Sequence, residues 1–263
     1  VSDRHHSMRC GLARLVEALS APGYNRYVSS ILDLFWLVPL GFVAGGYGTL
    51  IGAGGGFILA PALLVIYPGE APETLTAISL SVVFFNSLSG TLAYLRSGRI
   101  DFKSGVIFAL ATMPGAVVGA LTTAAIGRAT FNLAFGILLI AVATFLTLNP
   151  SKKRAEALAQ SVGAGKRRPN LARMLIGAGV STIFGFISSF LGIGGGFLYV
   201  PALIYLLNFS VHVATATSLF VLTLTSLTGS ATHFAAGLFH HGFRQAIGLS
   251  IGAIVGAQIA ARL

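Results

Sequence analysis

Long apolar stretches separated by short polar turns run through most of the chain. No Asp, Glu, Lys or Arg occurs over the 70 residues from Met174 to Phe243, and none occurs over 104–127 or 129–151. A helix needs about 20 apolar residues to cross roughly 30 Å of hydrocarbon. The pattern therefore predicts an all-α integral membrane protein with several spans.

Nine helical segments follow from the spacing of the apolar runs and the turns. Two of them, at 57–67 and 197–207, are too short to span a bilayer alone, and each follows a glycine cluster. We therefore expect a glycine-broken helix and a short membrane-embedded helix in each part of the chain. The nine predicted segments are 31–51, 57–67, 73–96, 103–125, 129–148, 173–191, 197–207, 212–237 and 244–262.

The glycine clusters belong to an internal repeat. GAGGGFILAPAL at 52–63 aligns with GIGGGFLYVPAL at 192–203, and eight of the twelve positions are identical. The match continues into the next helix, where Thr76 aligns with Thr215 and Ser79 with Ser218. The chain is therefore predicted to consist of two homologous halves.

The repeat and a basic stretch between its copies divide the chain. We expect a basic N-terminal extension at 1–30, a first transmembrane repeat at 31–148, a basic linker at 149–172 and a second repeat at 173–263. The helix at 129–148 has no counterpart in the second repeat, which is therefore expected to lack its last helix.

Charge distribution predicts the sidedness of the connections, because Lys and Arg collect in cytoplasmic loops. The N-terminal extension and the 149–172 linker are accordingly expected to be cytoplasmic. The turns at 68–72 and 208–211 carry neither Lys nor Arg and are expected outside. These placements favour parallel halves; if the short helices cross the membrane independently, the halves are inverted instead.

Overall composition excludes several classes of function. Charged residues make up only 9% of the chain, too few to cover the surface of a soluble domain, which carries about 25%. The net charge of +10 is read as topological, so no nucleic-acid partner is expected. With one cysteine, Cys10, and no cluster of nucleophile and base or of metal ligands, the sequence indicates neither an enzyme nor a metal or cofactor site.

The glycine clusters are candidates for anion binding. Consecutive glycines expose backbone N–H groups, and the positive end of the following helix points at the break. Irregular backbone inside a bilayer is tolerated where it lines a cavity or is buried in protein, so close helix packing is the alternative. The candidate substrate-binding glycines are Gly52, Gly54, Gly55, Gly56, Gly192, Gly194, Gly195 and Gly196.

Polar side chains of the following helix occupy paired positions in the two halves. Ser79 pairs with Ser218, and Asn86 pairs with Thr225. These groups are candidates for binding substrate oxygens, although hydroxyls in membrane helices also bond to their own backbone. His233 lies deepest among the histidines and is the candidate for proton coupling, because imidazole titrates in the physiological range.

The doubled GxGGGFxxxPxL motif, at Gly52–Leu63 and Gly192–Leu203, resembles that of the sulfite exporter family named after TauE and SafE. The resemblance covers roughly residues 34–262. It implies a secondary transporter, expected to be an exporter, of small sulfur-containing anions such as sulfite, sulfoacetate and other organosulfonates. It also implies a prokaryotic cytoplasmic membrane as the location, with the N-terminus expected on the cytoplasmic side.

The expected mechanism is alternating access around an anion held at the two glycine breaks. The alternative is a passive anion channel that uses the same groups. The expected partners are the sulfur oxyanion, the lipid bilayer and a coupling H⁺ or Na⁺. The sequence does not fix the oligomeric state, and a homodimer is compatible with it.

Overall fold

Nine α-helices make up the regular structure in the computed structural model, which describes residues 22–148, 171–207, 209–237 and 242–262. The predicted segments match these helices to within two residues, except that the first helix begins at Pro22 rather than at 31. The helices are α1 (Pro22–Ile51), α2 (Gly56–Ile66), α3 (Pro72–Leu95), α4 (Phe102–Ala125), α5 (Arg128–Leu148), α6 (Leu171–Leu191), α7 (Gly196–Leu207), α8 (Val211–Ala235) and α9 (Phe243–Ala260).

Four of these helices, α3, α4, α8 and α9, are long and apolar enough to cross a membrane. The short helices α2 and α7 have 11 and 12 residues. At 1.5 Å per residue they rise only about 16–18 Å, roughly half the hydrocarbon thickness. The expectation of a short helix in each half is confirmed.

The two halves pack across each other rather than side by side. The fourth helix of the second half, α9, packs along α1, and the fourth helix of the first half, α4, packs along α6. Both seams depend on glycine: a β-carbon built on Gly252 would lie 2.8 Å from the Phe42 nitrogen, and one on Gly115 would lie 2.9 Å from the Phe186 nitrogen. Backbones at this distance leave no room for side chains.

The central helices α3 and α8 run antiparallel. The hydroxyls of Ser81 and Ser230 are 2.8 Å apart, and those of Thr91 and Thr223 are 3.2 Å apart. Residue numbers thus rise along one helix as they fall along the other. These bonds join the two halves through the middle of the bundle.

The order of contacts along the seams gives the direction of the outer helices. Residues 38–46 of α1 meet 249–256 of α9 in rising order, and 112–119 of α4 meet 182–190 of α6 in the same way. Helix α9 also runs parallel to α3, because Gly242 lies against Ile78 while Ser89 donates to the Ile254 carbonyl.

These directions make the two halves inverted. Helices α1, α3 and α9 run one way, and α4, α6 and α8 run the other, so equivalent helices of the two halves point in opposite directions. Since α1 and α3 are parallel, α2 must return the chain toward the side where α1 begins. The preference for parallel halves was wrong because charge counting could not show that the short helix reverses the chain.

Two placements of connections are corrected by the same geometry. Because α3 and α8 are antiparallel, residues 68–71 and 209–210, which directly precede them, lie on opposite faces of the bundle. The turns expected together outside, 68–72 and 208–211, are therefore not on one side. The start of α1 also lies opposite the start of α6. The basic segments expected to be cytoplasmic, 1–21 and 149–170, lie outside the described residues, but the helices that follow them begin on opposite faces.

Cysteine labelling tests the inversion. In a Cys10→Ser background, we expect Gly69→Cys and Ser210→Cys to react with a membrane-impermeant thiol reagent from opposite sides of the membrane, and Ser97→Cys to react from the same side as Ser210→Cys. Residue 69 is exposed, and a β-carbon there meets nothing within 4 Å. Labelling of positions 69 and 210 from one side, with 97 on the other, would restore parallel halves.

Candidate anion site at the paired glycine breaks

Each glycine break is a tight backbone turn that only glycine adopts without strain. Gly54 has φ 74° and Gly194 has φ 82°, in the left-handed region that side chains disfavour. In the first break, the N–H groups of Ala53 and Gly54 both donate to the Gly48 carbonyl, at 2.6 and 3.1 Å. All residues at 52–56 and 192–196 are buried.

The two breaks contact each other at the middle of the bundle. A β-carbon built on Gly196 would lie 2.6 Å from the Ala53 Cα, and one on Gly56 would lie 2.6 Å from the carbonyl carbon of Ile193. Val83 packs against Gly54, Gly56 and Gly194, near the midpoint of α3. Leu222, its counterpart in α8, packs against Gly54 and Gly196.

Both short helices start at this contact with free backbone donors. In α2 the N–H groups of Ile58 and Leu59 donate to the Gly55 carbonyl, both at 3.1 Å, whereas those of Gly55, Gly56 and Phe57 have no backbone acceptor within the described ranges. In α7, Leu198 and Tyr199 donate to Gly195 in the same way. Such orphan donors at the positive ends of helices can bind an anion.

Ser79 and Ser218 hold the break of the opposite half. The Ser79 hydroxyl donates to the Gly192 carbonyl at 2.6 Å, and the Ser218 hydroxyl donates to the Gly52 carbonyl at 2.8 Å. Both side chains are fully buried. A hydroxyl has one proton to donate, so each serine would have to release its carbonyl before it could donate to a ligand.

Asn86 and Thr225 occupy equivalent positions but differ in hydrogen bonding. The Asn86 Oδ1 accepts a long bond from the Thr49 hydroxyl at 3.5 Å, while the buried Asn86 Nδ2 has no partner. The Thr225 hydroxyl donates to the Val221 carbonyl at 2.9 Å and lies 2.8 Å from the Thr112 hydroxyl. Asn86 therefore keeps a free donor, and Thr225 does not.

His233 is fully buried in α8, and neither ring nitrogen has a hydrogen-bond partner. It follows Gly229 by one helical turn on the same face. A β-carbon built on Gly229 would lie 2.6 Å from the Ser189 hydroxyl. The imidazole thus lies toward the end of α8, away from the contact between the breaks.

Ser188 and Ser189 were not among the residues predicted from the sequence. Both are fully buried at the end of α6, and neither hydroxyl has a hydrogen-bond partner. The repeat alignment held the signal, because these serines align with Gly48 and Thr49 at an offset of 140 residues. Throughout the described ranges no group of three His, Cys, Asp or Glu side chains could hold a metal ion.

Inverted halves whose helices break near the middle of the membrane are the architecture of secondary transporters. The chain belongs to the sulfite exporter TauE/SafE family, whose sequence profile matches residues 37–263. It is a multi-pass membrane transporter, and neither the family nor its relatives indicate an enzyme.

Similar proteins carry the same general description. The chain is 34% identical over 239 residues to the "Probable membrane transporter protein YunE" of Bacillus subtilis, covering 86% of this chain and 87% of that protein. It is 30% identical over 211 residues to the "Probable membrane transporter protein MJ0441" of Methanocaldococcus jannaschii, covering 78% and 74%. No solved structure matches the chain.

Because the two breaks are in contact, adding one methyl group at a glycine of this contact is predicted to destabilise the protein. Gly56→Ala would press its β-carbon into the Ile193 carbonyl, and Gly196→Ala would press its own against the Gly52 carbonyl oxygen at 2.5 Å. Because both obstacles are backbone, we expect each variant to lose about 1–3 kcal/mol of stability, measured by thermal unfolding in detergent. Gly136→Ala, which meets nothing within 4 Å, is the control; equal melting temperatures for all three would refute the close contact.

Proposed function

We propose that this transporter carries small sulfur oxyanions, such as sulfite, sulfoacetate and other organosulfonates, across the cytoplasmic membrane of a prokaryote. The main support is the pair of helix starts that meet at mid-bundle with unused backbone donors. The family description names sulfite export as well. In this proposal the anion binds at the breaks when they separate.

The charges near the breaks favour weak, neutral binding. Helices α2, α3, α7 and α8 contain no Lys or Arg. An anion there would be stabilised by amide and hydroxyl donors and by the positive helix ends. Such binding suits turnover, because a bound anion must also be released.

The distribution of Lys and Arg among the connections also supports an orientation of the protein in the membrane. The 96–103 turn and the 149–170 connection, on the side where α4 and α6 begin, carry nine Lys and Arg. The opposite connections, 67–71, 126–128 and 236–244, carry two, and three more arginines precede α1. The positive-inside rule then favours a cytoplasmic 149–170 connection and an external start of α1. The first agrees with the expectation from the sequence, and the second reverses the expected cytoplasmic location of the N-terminus.

Export is the proposed direction. In the proposed orientation, the 67–71 turn faces outward, and Glu70 and Glu73 flank its end. Carboxylates at an outer mouth repel anions that approach from outside. These carboxylates interfere less with an anion that leaves the protein toward the outside, so their position favours export.

Cross-packing of the halves suggests which parts would move. Helix α1 is joined to α9, and α4 to α6, along glycine seams without side chains between the backbones. We therefore propose that alternating access moves the α1–α9 unit against the α4–α6 unit, with α3 and α8 between them, rather than one sequence half against the other.

A transport assay tests the substrate class. In proteoliposomes preloaded with unlabelled sulfite, we expect saturable uptake of labelled sulfite, competition by external sulfoacetate, and unchanged rates in Gly136→Ala. Protein-free liposomes give the background. No flux of any sulfur oxyanion by folded protein would refute the substrate class, whereas conduction without counterflow would favour the passive anion channel.

His233 is the proposed group for proton coupling, with Na⁺ coupling as the alternative. A buried imidazole without partners is costly to maintain, which favours a functional reason for it. We expect His233→Gln to keep sulfite counterflow but to lose accumulation driven by a pH gradient. Accumulation that persists in the variant would remove His233 from coupling, and accumulation that follows a Na⁺ gradient instead would identify the other ion.

A further inference from the structure

The two glycine breaks differ at the residue that supports each of them. At an offset of 140 residues, Ser188 of α6 aligns with Gly48 of α1. Both residues precede their glycine cluster by four positions. The repeat is therefore asymmetric at the point closest to the free amides.

Glycine at position 48 lets the first break lie directly on α1. A β-carbon built on Gly48 would overlap the Gly55 nitrogen and lie 2.8 Å from the Gly54 carbonyl carbon. The amide of Gly55 is thus covered by the backbone of α1. This arrangement leaves no side chain beside the start of α2 at that position.

Serine at position 188 places a hydroxyl beside the second break. A β-carbon built on Gly195 would lie 2.9 Å from the Ser188 Cβ and 3.2 Å from its Oγ. The residue is fully buried, and its hydroxyl has no hydrogen-bond partner. Its carbonyl accepts from the Ile193 N–H at 3.2 Å, which fixes the residue against the turn.

The free amides of α7 begin at Gly195, the residue that Ser188 contacts. Leu198 and Tyr199 use the Gly195 carbonyl, whereas the N–H groups of Gly195, Gly196 and Phe197 donate to no backbone acceptor in the described ranges. The neighbouring Ser189 hydroxyl is also buried without a partner, while its counterpart Thr49 bonds to Asn86. Both breaks therefore have three free amides, but only the second has an unused side-chain hydroxyl where the first has Gly48.

We propose that the transported anion is held asymmetrically, at the start of α7, by the N–H groups of 195–197 and the hydroxyl of Ser188. Donors without a cationic side chain suit a small anion whose several oxygens each accept one hydrogen bond. The first break then serves as the packing surface that closes the site. This inference rests on the proposed function and specifies which of the two breaks binds the anion.

Kinetics of Ser188→Ala test the assignment. We expect the KM for sulfite to rise about tenfold with little change in maximal rate, because one hydrogen bond to a charged ligand is lost. The matched control is Ser87→Ala, which removes a buried hydroxyl that bonds only to the Phe84 carbonyl of its own helix. Equal KM values for both variants and the wild type would overturn the proposal.

A second measurement does not depend on transport. In a Cys10→Ser background, we expect sulfoacetate to slow the alkylation of Ser188→Cys by iodoacetamide, and not that of Ser87→Cys. If the wild type transports sulfite but sulfoacetate gives no protection, the asymmetric site is wrong while the proposed function stands. If the wild type transports no sulfur oxyanion, the proposed function fails; protection by nitrate or acetate would then still support an anion site at Ser188, and protection by neither would refute it.

Discussion

The structure depends on how the two glycine breaks, whose backbone is irregular, pair their N–H and carbonyl groups inside a membrane, away from water. In hydrocarbon, each unpaired N–H or carbonyl costs several kcal/mol. The carbonyls of the breaks are satisfied across the halves, since Ser79 reaches Gly192 and Ser218 reaches Gly52. Each half therefore completes the other, and neither break is satisfied by its own repeat alone.

This mutual dependence extends to the outer helices. Because α9 packs on α1 and α4 packs on α6, the packed units, which we propose move together, cut across the repeat. Glycine makes these seams stiff: backbone against backbone offers no side chain that could change rotamer to absorb a shift. Movement is easier where side chains lie between the units, as Val83 and Leu222 do between the breaks.

The sequence predicted the helices well, apart from the start of α1, because apolar runs and glycine clusters mark most of their ends. It could not decide the direction of the halves, since an 11-residue helix such as α2 is compatible with a continued or a reversed path, and only contacts between distant helices distinguish them. The repeat identified Ser79 and Ser218 as paired candidates. The sequence did not show that their hydroxyls donate to backbone carbonyls of the opposite break. Ser188 was missed because a search for matched pairs passes over positions where the halves differ.

Those differences carry information about function that the shared residues do not. The matched glycines and serines build a nearly two-fold scaffold, and a symmetric scaffold by itself binds the same ligand equally at both breaks. Among the described residues, the buried side-chain groups without partners are Asn86 in the first half and Ser188, Ser189, His233 and Ser250 in the second. The two-fold symmetry of an inverted repeat allows a transporter to open alternately to both sides of the membrane. A single bound anion, however, requires only one set of hydrogen-bond donors. In the proposed mechanism, divergence of the second half at the start of α7 supplies those donors and leaves unchanged the glycine seams within the two units that would move.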